Sequence, residues 1–471
     1  MKKVKGVRKN MKKLVATALT LSFLSMNFMP VFSKTVTDTK KLSKKEAKVL
    51  KAKTQRFGYI NMPWWEDLED EYLNEYIIKA FENNQDLKIA TLQVEESRQR
   101  TKLQLAKEMP TLSAGVAPSL YKLPGVSSTN GAFAVPIIAN YEIDLFLKNH
   151  DKTKSTKKQY EADKLNEKAA YIAIASAVGS TYYNIVKIDE QIRLQNQLIQ
   201  DRNEIYKLQK MRNERGITST ADLTRADKAR TLARSELYDL EKNRVMLLNS
   251  LAVLTGESPD NINEFKRISY EELTKQKTIP DSIASDIITQ RPDYLVAEKM
   301  VEKAGIDVRV AKKEFLPKLN LLGLAVFLND SAIPGGMTGT NALAALGGSA
   351  ILDIFAGGAK IANLKINKLK YEEYVQNYYK TNLTAIKEVN DSLSNLKNDN
   401  EKYIVNLENL KLEQKDFGFA TAEYNVGVKS KLDWIQRREN LTVMEKVVVN
   451  NKLDTYIDQI SLYKAVAGAD L

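Results

Sequence analysis

Histidine occurs once in these 471 residues, at His150 in "KNHDKTK", and cysteine does not occur at all. One imidazole cannot furnish a metal cluster or a His-based triad, and it reads as a solvated turn residue where a strand meets a helix. Without thiols there are no disulfides, thiolate metal sites, Cys nucleophiles or lipid attachment through Cys. The adjacent carboxylates Glu95-Glu96 and Glu372-Glu373 face different directions on a helix, so neither pair can flank a scissile bond. "GGMTG" and "AGGAK" lack the spacing of a phosphate-binding loop. The chemistry available therefore points away from an enzyme and from any cofactor or metal. Two phrases remain conspicuous. "ERGITSTADLTRADKA" starts at Glu214 and "NVGVKSKLDWIQRREN" starts 211 residues later at Asn425, each reading Gly, a polar turn, an apolar–Asp pair and mixed charge. Gly216 and Gly427 suit a backbone that must leave helical angles, which makes both phrases turns between helices.

The echo belongs to a longer one. At an offset of 207, Asn84-Gln85-Asp86 meets Arg291-Pro292-Asp293, and Ala90, Val94, Glu95, Pro110 and Leu112 meet Ala297, Val301, Glu302, Pro317 and Leu319. "EIDLF" from Glu142 parallels "ILDIF" from Ile351 at an offset of 209. Drifts of two residues are what changes in loop length produce. The chain reads as two internal structural repeats of about 200 residues, far longer than a solenoid unit.

Each copy has one internal order. A helix over residues 72 to about 107, or 293 to about 314, stops before Pro110 or Pro317. Extended stretches follow at about 111–121 and 132–146 in the first copy, and at about 318–328 and 342–355 in the second, with a Gly/Ser/Pro-rich loop between them. From Phe133 to Leu145 every second residue is apolar, while the intervening face grows polar towards Asn140, Glu142 and Asp144. Such alternation fits a membrane β-barrel strand, and it fits equally a hairpin packed on a soluble core. Long helices then run from 150 to 215 and on to 256 in the first copy, and to 467 in the second. At 1.5 Å per residue the first of these reaches roughly 90 Å, too long for a compact domain to bury. Positions 223, 226, 230, 233, 237, 240, 244, 247, 251 and 254 keep strict three-four spacing, and eight of the ten are apolar, as in a coiled-coil seam. Twenty Gly, eleven Pro and 28% charged residues agree with long helices.

Residues 1–33 carry a basic start, the apolar run "LVATALTLSFLSMNFMPVF" and small residues ahead of position 34, which is the pattern of a signal peptide. Removing its seven Lys and Arg takes the formal charge from +12 to +5, so a nucleic-acid partner is not expected. A polar segment at 34–56 precedes the first repeat at 57–270 and the second at 271–471. Four strands close no barrel, and an open edge in lipid leaves backbone groups unpaired, so the chain must associate with copies of itself.

"MPWWEDLED", "NNQDLKIA", "YEIDLF", "RGITSTADL", "TQRPDYLVAEKMVEKAGIDVRVAKKEFLPKLNLLG", "ILDIFAGGAK" and "YNVGVKSKLD" together resemble the TolC-type outer-membrane efflux proteins, over nearly the whole chain that follows the signal. "QRPDYLVAE" and "FLPKLNL" look most like the drug-efflux branch, although many of its members carry an N-terminal lipid on a Cys that this chain lacks. The resemblance implies a homotrimer whose twelve strands form one barrel in outer-membrane lipid. That barrel would be continuous with a periplasmic coiled-coil tunnel that tapers to a closed end. It implies a passive duct that docks on a periplasmic adaptor (membrane fusion) protein and an inner-membrane transporter and opens by an iris-like shift of its inner helices. By the same resemblance Asp222, Tyr424 and Lys429 fall where relatives latch the coiled coils shut, and Asp433 falls on a pore-facing aspartate ring. A second acid often follows three residues after that one, where this chain has Gln436, so the ring is expected to be single. Asp433 is also placed as a plain helix-start acid would be, favouring the dipole. A duct for secreted proteins or peptides, and a periplasmic coiled-coil scaffold that forms no channel, are the alternative readings.

Overall fold

A computed structural model describes residues 64–121, 130–260, 265–273, 285–330 and 341–467. The expected signal peptide and polar segment lie outside the described residues. After a short 3-10 turn at Trp64–Leu68 come α1 (Glu71–Asn83) and α2 (Gln85–Ala106), then β1 (Thr111–Ala114), β2 (Ala117–Tyr121) and β3 (Asn130–Ile143). The long helix α3 (Lys148–Glu214) is followed by α4 (Thr220–Thr255). Next come α5 (Pro292–Lys313), β4 (Lys318–Asp330), β5 (Asn341–Ile351), α6 (Ala359–Asn425) and α7 (Lys431–Ala465).

The helix expected to run unbroken from 72 to about 107 is two helices. Asn84 breaks it with an extended ψ of 132°, while its amide still bonds Ala80 O at 2.8 Å and its side chain caps α2 by accepting from Leu87 N–H at 3.1 Å. Its side-chain Nδ2 also donates to Leu254 O at 2.9 Å. The end of α4 therefore abuts the start of α2, and both run antiparallel to α3. The end of α7 meets the start of α5 in the same way, since the Arg291 guanidinium donates to Ala465 O at 2.5 Å. The helices thus make one layer in the order α2/α4, α3, α5/α7, α6. Its two outermost members differ from α3. Across the 67 residues of α6 only Ala385, Val389 and Ala420 are buried.

The strands form one antiparallel sheet in the order β1/β2, β3, β4, β5. The first extended stretch is interrupted between β1 and β2, although both pair with β3 in one continuous register. Gly115 N–H donates to Pro136 O at 2.9 Å, but Pro136 has no N–H to return, so one ladder bond is missing there. Like the helix layer, the sheet has two open edges, β1/β2 and β5. The polypeptide passes from β3 into α3 through Asp144, whose carboxylate accepts from Lys148 N–H at 2.6 Å and His150 N–H at 2.8 Å. His150 thus lies inside the first turn of α3 rather than in a turn before it, with Nδ1 3.6 Å from Glu108.

The main core surrounds the middle of α3. Trp64, Trp65, Leu73, Ile77, Tyr182, Tyr183, Leu248, Leu453 and Tyr456 are all at most 4% exposed. Trp64 stacks on Tyr463 with centroids 5.3 Å apart, and Tyr183 meets Tyr456 at 4.9 Å. Aromatic bulk is concentrated where four helices and the Trp64–Leu68 turn converge, and it thins out towards the far ends of the long helices.

Candidate functional site

The two echoed phrases fold as the same turn. At the end of α3, Gly216 N–H donates to Asn213 O at 2.9 Å and Ile217 N–H to Arg212 O at 2.8 Å; at the end of α6, Gly427 and Val428 repeat this with Tyr424 O at 3.0 Å and Glu423 O at 2.9 Å. Both are Schellman closures, and the left-handed residue at each is glycine, with φ of 71° and 77°. Three residues on, Ser219 and Ser430 start the next helices. Each hydroxyl accepts the backbone N–H of Asp222 or Asp433, at 3.1 and 3.2 Å, and each aspartate carboxylate returns a bond to the serine. These are capping boxes. The sequence signal for them was present as Ser-x-x-Asp at identical spacing after each glycine.

Capping sets the charge state of both acids. The Ser219 hydroxyl, with its backbone N–H and Arg225, holds Asp222 below the usual carboxylate range. Asp433 is lowered chiefly by Ser430, with further help from Lys429 and from Arg212 at the end of α3. Both remain anionic at neutral pH.

The structure does not join Asp222 to Tyr424 or Lys429 within one chain. Asp222 bonds Ser219 and pairs with Arg225. Tyr424 stacks on Trp434, with centroids 5.4 Å apart and 19° between the planes. Lys429 is exposed and contributes its backbone N–H to Glu423 O at 3.2 Å. The reason is topological: Asp222 begins α4 at one edge of the helix layer, whereas Tyr424 ends α6 at the other.

What does tie the two hairpins together, α3 to α7, escaped the sequence reading. Arg438 donates to Asp201 at 2.5 Å and lies over the Trp434 ring at 4.7 Å, Arg202 pairs with Glu439 at 2.8 Å, and Lys431 pairs with Glu204. Trp434 donates from its indole N–H to Thr421 at 3.0 Å. Tyr424, Trp434, Arg438 and Asp201 therefore form a line from α6 through α7 to α3. No spacing rule reveals such partners, because the paired residues lie more than 220 positions apart.

Farther along the same hairpin, Asp458 of α7 faces Asp399 of α6, with Asp454 and the Lys187–Asp454 pair (2.8 Å) beside it. Burial, the contact with Asp399 and the charge of Asp454 push the Asp458 carboxyl up to about 7. A raised carboxyl pKa favours the folded state below the unfolded value of about 3.9 and withdraws that support as pH rises through 7. Asp458→Asn is therefore expected to stabilise the protein at pH 8 by about 1–2 kcal/mol, after allowance for solvent screening, and to do little at pH 4. Thermal unfolding of both proteins at the two pH values checks this; an equal effect at each would contradict it.

Among solved structures, the Campylobacter jejuni CmeC outer membrane channel superposes with a TM-score of 0.78 at 25% identity, over 87% of this chain and 88% of that one. The open state of the Neisseria gonorrhoeae MtrE outer membrane channel gives 0.73 at 23%, over 85% and 89%. Among curated relatives, the probable efflux pump outer membrane protein TtgC of Pseudomonas putida is 25% identical over 415 residues, covering 86% of this chain and 84% of its own length. The cation efflux system protein CusC of Escherichia coli K12 is 25% identical over 418 residues, covering 87% and 90%. Residues 77–257 and 283–468 match the family described as outer membrane efflux protein, and a match over that much of the sequence, on this sheet and these paired hairpins, makes the chain a member of that family.

Proposed function

We propose that this protein is the outer-membrane exit duct of a tripartite efflux system, a passive homotrimer that passes small toxic compounds to the exterior. The observation that carries the reading is that the strand layer and the helix layer are both single and both end in open edges on the same two sides. The edge helices expose apolar side chains there, among them Leu232 (58%) and Tyr238 (64%) on α4 and Leu383 (68%) and Phe419 (70%) on α6. Three copies joined edge to edge give twelve strands in lipid and a continuous helical wall below them, built from the two duplicated halves of each chain. The relatives' names, which speak of efflux of antibiotics, toluene and cations, support a small-molecule cargo. A periplasmic adaptor and an inner-membrane transporter complete the pathway, because nothing in a passive wall supplies energy.

In the trimer the latch forms between copies. Asp222 and the Tyr424/Lys429 turn occupy opposite edges of one subunit, so they meet only across a subunit boundary. Asp433, kept anionic by its cap, forms a ring of three around the narrow end, where mutual repulsion raises the affinity for cations. Conductance of the detergent-extracted protein in planar bilayers tests these roles together. Asp433→Ala is expected to weaken cation block of single-channel current, and Asp222→Ala or Tyr424→Phe to raise resting conductance. Wild-type conductance in all three variants would place the gate elsewhere, and a protein released in soluble form without detergent would sink the duct.

A further inference from the structure

We propose that the tyrosine-lined groove between α5 and α6 is a binding site for lipophilic organic cations of drug size. The groove has a volume of about 650 Å³, within the roughly 300–1,000 Å³ range of small-molecule sites. Its α6 wall presents Tyr371, Tyr378 and Tyr379, and its α5 wall presents Glu298, Gly305 and Arg309. Gly305 makes the room: a Cβ there would stand 3.6 Å from the Tyr371 ring, so any larger side chain would fill the floor on which that ring lies. Tyr378 is held by a hydroxyl contact to Tyr294, whose ring packs against it at 5.1 Å, and Tyr379 stands at 66° to Tyr378 with centroids 5.9 Å apart. Two ring faces set at a steep angle form the corner of an aromatic cage, which attracts weakly hydrated cations through the ring quadrupole.

Glu302 is held by Lys158 at 2.7 Å and Lys299 at 2.8 Å, and Arg309 lies 3.6 Å from Asp151, which also pairs with Lys313 at 2.7 Å. Glu298 lines the groove beside Tyr378 with no ion pair among the described residues, leaving one carboxylate free for a cationic guest. Both walls belong to one subunit, so the groove exists before copies assemble. The neighbouring copy at the α6 edge is the competing occupant. The inference leans on the duct reading only for the route by which a cation reaches the groove.

The test is titration calorimetry of the detergent-extracted protein with tetraphenylphosphonium, run beside bilayer conductance of the same preparation. Saturable binding is expected, weakened about fivefold by Glu298→Gln and about tenfold or more when Tyr378 and Tyr379 are both changed to Ala. Tyr378→Phe, which keeps the ring, is expected to stay within about twofold of wild type. Absence of saturable binding in a preparation that conducts normally would overturn the site and show the groove covered by the next copy. Binding indifferent to Glu298 and the tyrosines would overturn it as well. Variant-sensitive binding without conductance would uphold the site and overturn the duct.

Discussion

Gly256→Ala is expected to destabilise the protein by about 2–4 kcal/mol, whereas the same change at Gly216 or Gly427 costs only about 1 kcal/mol. The three glycines share one backbone conformation, with φ of 72°, 71° and 77°, and each closes a helix. The strain of placing an L side chain there is common to all three. Their surroundings differ. A Cβ at Gly256 would stand 2.6 Å from the carbonyl oxygen of Asn83, a backbone atom that cannot swing aside, while nothing lies within 4 Å of the other two. Gly256 is where α4 ends against Asn83, the last residue of α1, so a side chain there also prises Asn84 from Leu254 O and opens the joint between α4 and α2. Thermal unfolding in detergent measures the three variants side by side. Equal shifts would mean that the end of α4 and the end of α1 are not held in close contact.

Arg291→Ala is expected to cost about 2–3 kcal/mol, because loss of the buried Arg291 side chain leaves a helix-end carbonyl without its donor, while its half-exposed carboxylate partners return to water. One guanidinium donates to Ala465 O at the end of α7, to Glu388 of α6 at 2.6 Å, and to Asp293 in the first turn of α5 at 2.7 Å. It thus joins three helices at the second composite joint. Its removal leaves two half-exposed carboxylates without their shared partner and a helix-end carbonyl without a donor. Arg291→Lys keeps the charge but not the planar fork, so it is expected to recover less than half of the loss. A lysine variant as stable as wild type would show that charge alone holds the joint. Asp293 gives a pH signature in the opposite sense from Asp458. Although burial alone would raise it, Arg291 holds it below its ordinary value, so this support is present above the unfolded pKa and lost as pH falls through the lower folded one.

Much of the architecture was written locally. Long helices follow from the three-four spacing of apolar residues and the scarcity of Gly and Pro, and the sheet follows from period-two alternation bounded by turn residues. The tip turns were legible too, since Gly216, Gly427 and the Ser-x-x-Asp that follows each act within seven residues of one another. The break at Asn84 was not. An asparagine interior to a helical pattern is ambiguous until Leu254, 170 residues away, takes its side-chain amide. The split of the first strand depends likewise on Pro136 arriving opposite Gly115.

The candidate site divides along the same line. Residue types and spacing, read beside a family resemblance, singled out Asp222, Tyr424, Lys429 and Asp433, and local hydrogen bonds account for the charge state of the two acids. Only the tertiary arrangement decided which of these residues can meet inside one chain. It put Asp222 and Tyr424 on opposite edges of a layer, gave the ties between hairpins to Arg438, Arg202 and Lys431, and assembled a tyrosine groove from two helices separated by the β4–β5 hairpin. Periodicity encodes which face of a helix is apolar, because that depends on near neighbours. Which helix covers that face depends on how the whole chain returns upon itself, and no local pattern carries that information.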